Sequence, residues 1–182
     1  MAHKPLEIEA DFSVEDILGN GRIMLKFSFN KEIRERLYLL NNMNCVGEVS
    51  PVEFYREMGR FGVDIIEDKS KYFGHDYFYD CQEWAFDKVG LPQYTSREGD
   101  GAIDFVLRKD LPGISWVPPV PLGDAIAVYF NGHVPTHFGV VVVQGDEILI
   151  DSKWGRGNVY RHSPEKVPLA YGDYIGFFKV GD

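Results

Sequence analysis

The stretch HFGVVVVQGDEILIDSKW, His137 to Trp154, decides the fold. Its β-branched run Val140–Val143 and its second apolar run Ile148–Ile150 are separated by Gly145-Asp146, which reads as two strands joined by a tight turn. AIAVYF, Ala125 to Phe130, supplies a strand before them, and YGDYIGFFKV, Tyr171 to Val180, a final strand that is expected to close the sheet. Strands so close in sequence form an antiparallel meander.

Helical signals lie ahead of this block. NKEIRERLYLLNN, Asn30 to Asn42, places Ile33, Leu37 and Leu40 at helical spacing, which predicts a short helix. SPVEFYREMGRFG carries a cap at Ser50, a proline at the first helical position and Glu53 three residues after the serine, so a helix is expected from about Pro51 to Arg60. In DILGNGRIMLKFSF, Asn20-Gly21 is a hairpin signal leading into a strand in which Leu25 and Phe27 alternate with Lys26 and Ser28. A polar break near Ser70 divides residues 1–70, an N-terminal subdomain, from residues 71–182. The resulting class is α+β.

Composition narrows the partners. A length of 182 residues supports one main core, and 45% hydrophobic with 26% charged residues is ordinary globular usage, which argues against disorder. The net charge of −9 repels phosphate backbones and anionic lipid, so neither nucleic acid nor a membrane surface is expected as partner. A small molecule, a peptide or another protein is. MAHKPLEIEADFS lacks the apolar core of a secretion signal and no later run approaches a membrane span, so the cytoplasm is the expected location; specialised export or release by lysis leaves no mark in a sequence. Cys45 and Cys81 are expected as free thiols.

FYDCQEWAFDKVGLP, Phe78 to Pro92, starts a helix at Cys81 whose face carries Cys81, Trp84, Ala85 and Val89 toward the sheet. Cys81 alone reads as a small apolar spacer in that interface. A helix N-terminus, however, offers unpaired N–H groups and partial positive charge that stabilise a thiolate and an oxyanion, with Asp80 opposing the first effect. His137, where a loop enters a buried strand, alone reads as a strand-edge cap. Together they form the layout of a thiol–imidazole pair across a helix–sheet interface. A third group must orient the imidazole. A two-residue turn at Gly145-Asp146 pairs Val141 with Ile150 and puts Ser152 on the face of His137, whereas a three-residue loop puts Asp151 there. Asp151 is preferred because a carboxylate best stabilises an imidazolium; Ser152 and Lys153 are the alternatives.

YDCQEWAFDKVGLP resembles the Asp-Cys-Ser-Gly segment and following helix of NlpC-type cell-wall cysteine peptidases, and PLGDAIAVYFNGHVPTHFGVVVVQGDEILID resembles their Pro-Gly-Asp and His-Val-Gly strands. CHAP amidases share this layout, and DSKWG with YGDY is similar to an uncharacterised papain-like group. The resemblance covers about Tyr77 to Trp154. It implies a papain-like fold with Cys81 as nucleophile, His137 as base and Asp151 as orienting residue, acting on an amide bond without a cofactor. Gln82 and Glu83 stand where the family has Ser-Gly. The same acyl chemistry serves deamidases and acyltransferases, including toxins that act in another cell, and the same scaffold without catalysis would bind a protein or peptide through the aromatic run Tyr72–Tyr79.

Other groupings read as structure. His133 and His137 have a zinc-like spacing that Pro135 removes from any helix, Asp100 and Asp104 lack the rest of an EF-hand, and no metal is expected. PGISWVPPVPLGD, with four prolines, reads as an extended connector.

Overall fold

The computed structural model describes residues 24–28, 30–68, 80–90 and 125–178 with their side chains, and the backbone of strand residues 11–15, 114–116 and 179–180. The Asn20-Gly21 turn, the aromatic run 72–79, Asp100 and Asp104, and most of the proline-rich connector lie outside the described residues.

The class is α+β. Among the described residues nine strands form one antiparallel sheet: β1 (Asp11–Glu15), β2 (Met24–Ser28), β3 (Asp64–Glu67), β4 (Ile114–Trp116), β5 (Ala125–Asn131), β6 (Val134–Gln144), β7 (Glu147–Lys153), β8 (Val159–His162) and β9 (Tyr174–Val180). Their order is β1-β2-β9-β5-β6-β7-β8-β3, with β4 also paired to β9. The meander β5-β6-β7 is as the strand pattern predicts, and β8, which no sequence signal marks, extends it. β9 differs: it lies inside the sheet between β2 and β5 rather than at its closing edge. Ile175, Phe177 and Phe178 are all buried, so this strand has apolar side chains for both faces, which suits an interior position.

Among the described residues three α-helices cover the sheet: α1 (Lys31–Val46), α2 (Pro51–Arg60) and α3 (Cys81–Lys88). Asn30 caps α1 by accepting from the N–H groups of Glu32 and Ile33, and Gly47 ends it at φ 77°, a left-handed turn that glycine adopts without strain. α1 therefore outruns the segment 30–42 and holds Cys45 in its last turn. Ser50 caps α2 with Pro51 following, as its sequence signature predicts.

The two sheet faces have different covers. On one, Trp84, Ala85 and Phe86 of α3 pack with Ile126, Val128, Phe130, Phe138 and Phe178. On the other lie Ala127, Tyr129, Val141, Ile150 and Phe177, flanked by the α1–α2 cluster of Leu37, Leu40, Phe54, Met58, Trp154 and Tyr160. Burying a Leu or Phe side chain of this kind contributes about 1.5–3 kcal/mol over an exposed position. Residues from both sides of the break near Ser70 build this sheet, because β2 pairs with β9 and β3 with β8. Among the described residues no helix is long and apolar enough to cross a membrane.

Candidate active site around Cys81 and His137

Cys81 opens α3. Asp80 is the N-cap, its Oδ1 accepting from the backbone N–H of Gln82 and of Glu83, each at 2.9 Å. The Cys81 side chain packs against the first apolar cluster, beside Phe138 of β6. Burial pushes the thiol up to about 12; the Asp80 carboxylate acts in the same sense, while backbone hydrogen bonding from Phe138 and the start of α3 pulls the other way. The helix N-terminus is thus present, and desolvation outweighs it. The thiol is protonated at neutral pH.

His137 lies in β6, directly opposite Tyr129 of β5. Paired residues of antiparallel strands share a face, and neighbours along a strand point to opposite faces. Phe138 joins the cluster that holds Cys81, its ring 5.8 Å from that of Phe86. His137 takes the other face, where its ring stacks on Tyr171 at 3.8 Å between centroids and 3° between planes and lies 5.6 Å from that of Tyr129. It is fully buried, and among the described residues neither ring nitrogen has a hydrogen-bond partner. Burial, with a smaller contribution from neighbouring His162, holds its pKa well below the usual imidazole range. The sheet separates the thiol from the imidazole.

Asp151 is also on a different face from His137. Val141 pairs with Ile150 and Gln144 with Glu147, which is the two-residue turn at Gly145-Asp146. By that parity Ser152 shares the face of His137, and Asp151, opposite Val140, shares the face of Cys81. The preference for Asp151 as the residue orienting His137 in place is therefore corrected by the register. Its carboxylate is instead gripped by Arg161 of β8, at 2.7 and 2.8 Å in a bidentate pair. Lys153, on the same face as Asp151, donates from Nζ to the carbonyls of Gly155 and Gly157 and stabilises the β7–β8 turn. Burial lowers its pKa, partly offset by Cys45, Cys81 and Asp80.

Ser152 belongs to a buried chain of hydrogen bonds. His162 Nδ1 lies 2.8 Å from the carbonyl of Ser163, an atom that only accepts, so Nδ1 carries the proton. Neutral Nε2 then accepts from Ser152 Oγ at 2.9 Å, and Ser152 Oγ accepts from Trp154 Nε1 at 2.9 Å. Burial presses His162 down to about 4, against the opposing effects of the Ser163 carbonyl and Asp151. Sequence reading found Ser152 but missed Trp154 and His162, because no local spacing marks a contact made across two strands. The glycine of His137-Phe138-Gly139 has a direct reason: a Cβ at Gly139 would lie 2.5 Å from Ile150 Cγ2 and 2.9 Å from the Asp151 carbonyl.

Among the described residues no group of three or more His, Cys, Asp or Glu side chains is arranged to hold a metal. Neither Cys45 nor Cys81 is in a disulfide. No protein-family model, curated protein or solved structure matches the chain.

Proposed function

We propose that the chain is a papain-like, cysteine-dependent amide hydrolase with Cys81 as its nucleophile and His137 as its base. The observation that carries this reading is the position of Cys81, first residue of a capped helix and packed beside Phe138, the immediate neighbour of His137. In the reacting form the imidazole removes the Sγ proton and the thiolate forms a bond to the amide carbonyl carbon. The C–N bond breaks as the amine takes that proton, and water then cleaves the thioester to the acid, restoring the thiol. A peptide or other amide is the substrate. Deamidation and acyl transfer follow the same first half.

A second reading has its own support. The thiol pushed up to about 12 and the imidazole on the opposite face are what a papain-like scaffold that binds a protein or peptide without catalysis would have. Alkylation of Cys81 by iodoacetamide as a function of pH, read by peptide mass spectrometry with Cys45 as internal control, separates the two. An enzyme gives a Cys81 rate that persists below the ordinary thiol pKa and falls in His137→Ala, in the resting fold or in a variant that lets His137 change face. A binding scaffold gives, in both, a Cys81 rate no faster than that of Cys45 and indifferent to His137.

A further inference from the structure

The register of β6 against β5 changes at the residue before His137. Asn131 pairs with Val134 and Phe130 with Pro135, but Tyr129 pairs with His137, so Thr136 is the extra residue of a β-bulge. Bulges re-aim side chains, and this one sets the face that His137 takes. If the bulge lay one residue further along, Thr136 would face Tyr129, and His137 would stand beside Phe138 opposite Val128. Val128 lies on the face that holds Cys81. Phe138 would keep its partner Val128, and every pair beyond it would stay in register. His137 alone would change face.

Three features of the fold bear on this shift. The imidazole is unsatisfied where it is, with both nitrogens buried and without a hydrogen-bond partner among the described residues. The ladder between β6 and β7 begins only at Val140 and Asp151, so moving the bulge across residues 136–137 breaks no pair with β7. And the present position is held from outside the hairpin by Tyr171: Thr136 Oγ1 donates to its carbonyl at 2.6 Å, and its ring covers His137, while within the hairpin Thr136 Oγ1 lies 3.2 Å from the Tyr129 carbonyl.

We propose that Thr136 is a positioning residue that holds His137 away from Cys81, and that a one-residue migration of the bulge assembles the pair. The proposal rests on the reading of Cys81 and His137 as nucleophile and base. It also brings His137 to the face that carries Asp151, so that the three residues picked out by sequence share one side of the sheet.

Thr136→Val removes the hydroxyl that anchors the bulge at nearly constant volume. At pH 6.5 it should speed iodoacetamide alkylation of Cys81 by about tenfold, as one unit of thiol pKa implies, leave Cys45 unchanged, and lose the gain when combined with His137→Ala. If Thr136→Val behaves as wild type while His137→Ala slows Cys81 in the parent, the positioning role falls and the Cys81–His137 reading stands. If His137→Ala changes nothing in either background, that reading fails and the inference with it. A readout free of catalysis uses His137→Cys with Cys45→Ser. Mild oxidation should form a Cys81-to-137 disulfide faster when Thr136→Val is added, and not at all when Thr136 is deleted, which leaves residue 137 opposite Tyr129 in a regular ladder. Equal yields in all three overturn the proposal.

Discussion

At the scale of single residues, Asp80 sets two opposed conditions on Cys81. Its carboxylate caps α3, which orders the helix that presents the thiol, and its charge raises the pKa of that thiol. Asn has the same acceptor oxygen and no charge, and caps about as well. Asp80→Asn should therefore leave the helical circular dichroism unchanged and increase alkylation of Cys81 at pH 8 by about three- to tenfold, the range given by a pKa change of half to one unit. An unchanged rate would mean that burial alone governs the thiol. The place of Cys81 at the start of α3 was legible because Asp-Cys before an amphipathic run is a local signal. The face of His137 was not, because it depends on a bulge that changes parity by one residue and leaves no trace in composition. The face of Asp151 was legible as a choice between two turn lengths, which the Gln144–Glu147 pair resolves.

Elements repeat the contrast. Ser50, Pro51 and Glu53 announced α2 because capping is written within four residues, whereas α1 was read too short: beyond Leu40 the asparagines Asn41, Asn42 and Asn44 interrupt the apolar spacing, and the helix is held there by distant partners. Asn41 donates to the carbonyl of Trp154 and accepts from Tyr160. β3 and β8 escaped notice for a related reason, each being four residues long and defined by its partner strand. Their pairing nevertheless positions the buried chain of Trp154, Ser152 and His162, which gives the β7–β8 hairpin a dependence on pH. An imidazole in the unfolded chain titrates near 6.5, and that of His162 in the fold near 4. Between those values the unfolded chain binds more protons, so this contribution is complete above about pH 6.5 and is lost as pH falls toward 4. For a fully buried group it amounts to about 3 kcal/mol. Urea unfolding of wild type should show a steeper loss of stability over that window than His162→Gln. Equal slopes would place the acid sensitivity elsewhere.

Across the whole molecule, the sheet is shared and its two covers differ in what they touch. α3 brings the thiol to one face, while α1 and α2 flank the other, where α1 packs on the turn that carries Tyr171, the ring stacked on His137. The tie between α1 and that second face is Arg34, a buried guanidinium that donates to the carbonyls of Val167, Pro168 and Gly172 and pairs with Asp173. Those residues flank the 3-10 turn Leu169–Tyr171, which supplies both the ring stacked on His137 and the carbonyl that anchors Thr136. The N-terminal helices are thereby coupled to the histidine from about 100 residues away in sequence, through hydrogen bonds rather than through apolar packing alone. Arg34→Met fills much of the same volume but leaves carbonyls without their donor, a loss of about 3 kcal/mol when more than one buried group is orphaned. Unfolding by urea should report that loss for the whole domain in a single transition, because α1 and the β5–β9 core share the damaged contact. If the transition instead splits, with the α1–α2 unit melting ahead of β5–β9, the two covers are energetically separate and Arg34 fastens one to the other without making them one cooperative unit. The Tyr171 side chain discriminates further: its near-ultraviolet circular dichroism should change in Arg34→Met before any secondary structure is lost, since the guanidinium sets the position of the turn and the turn sets the position of the ring.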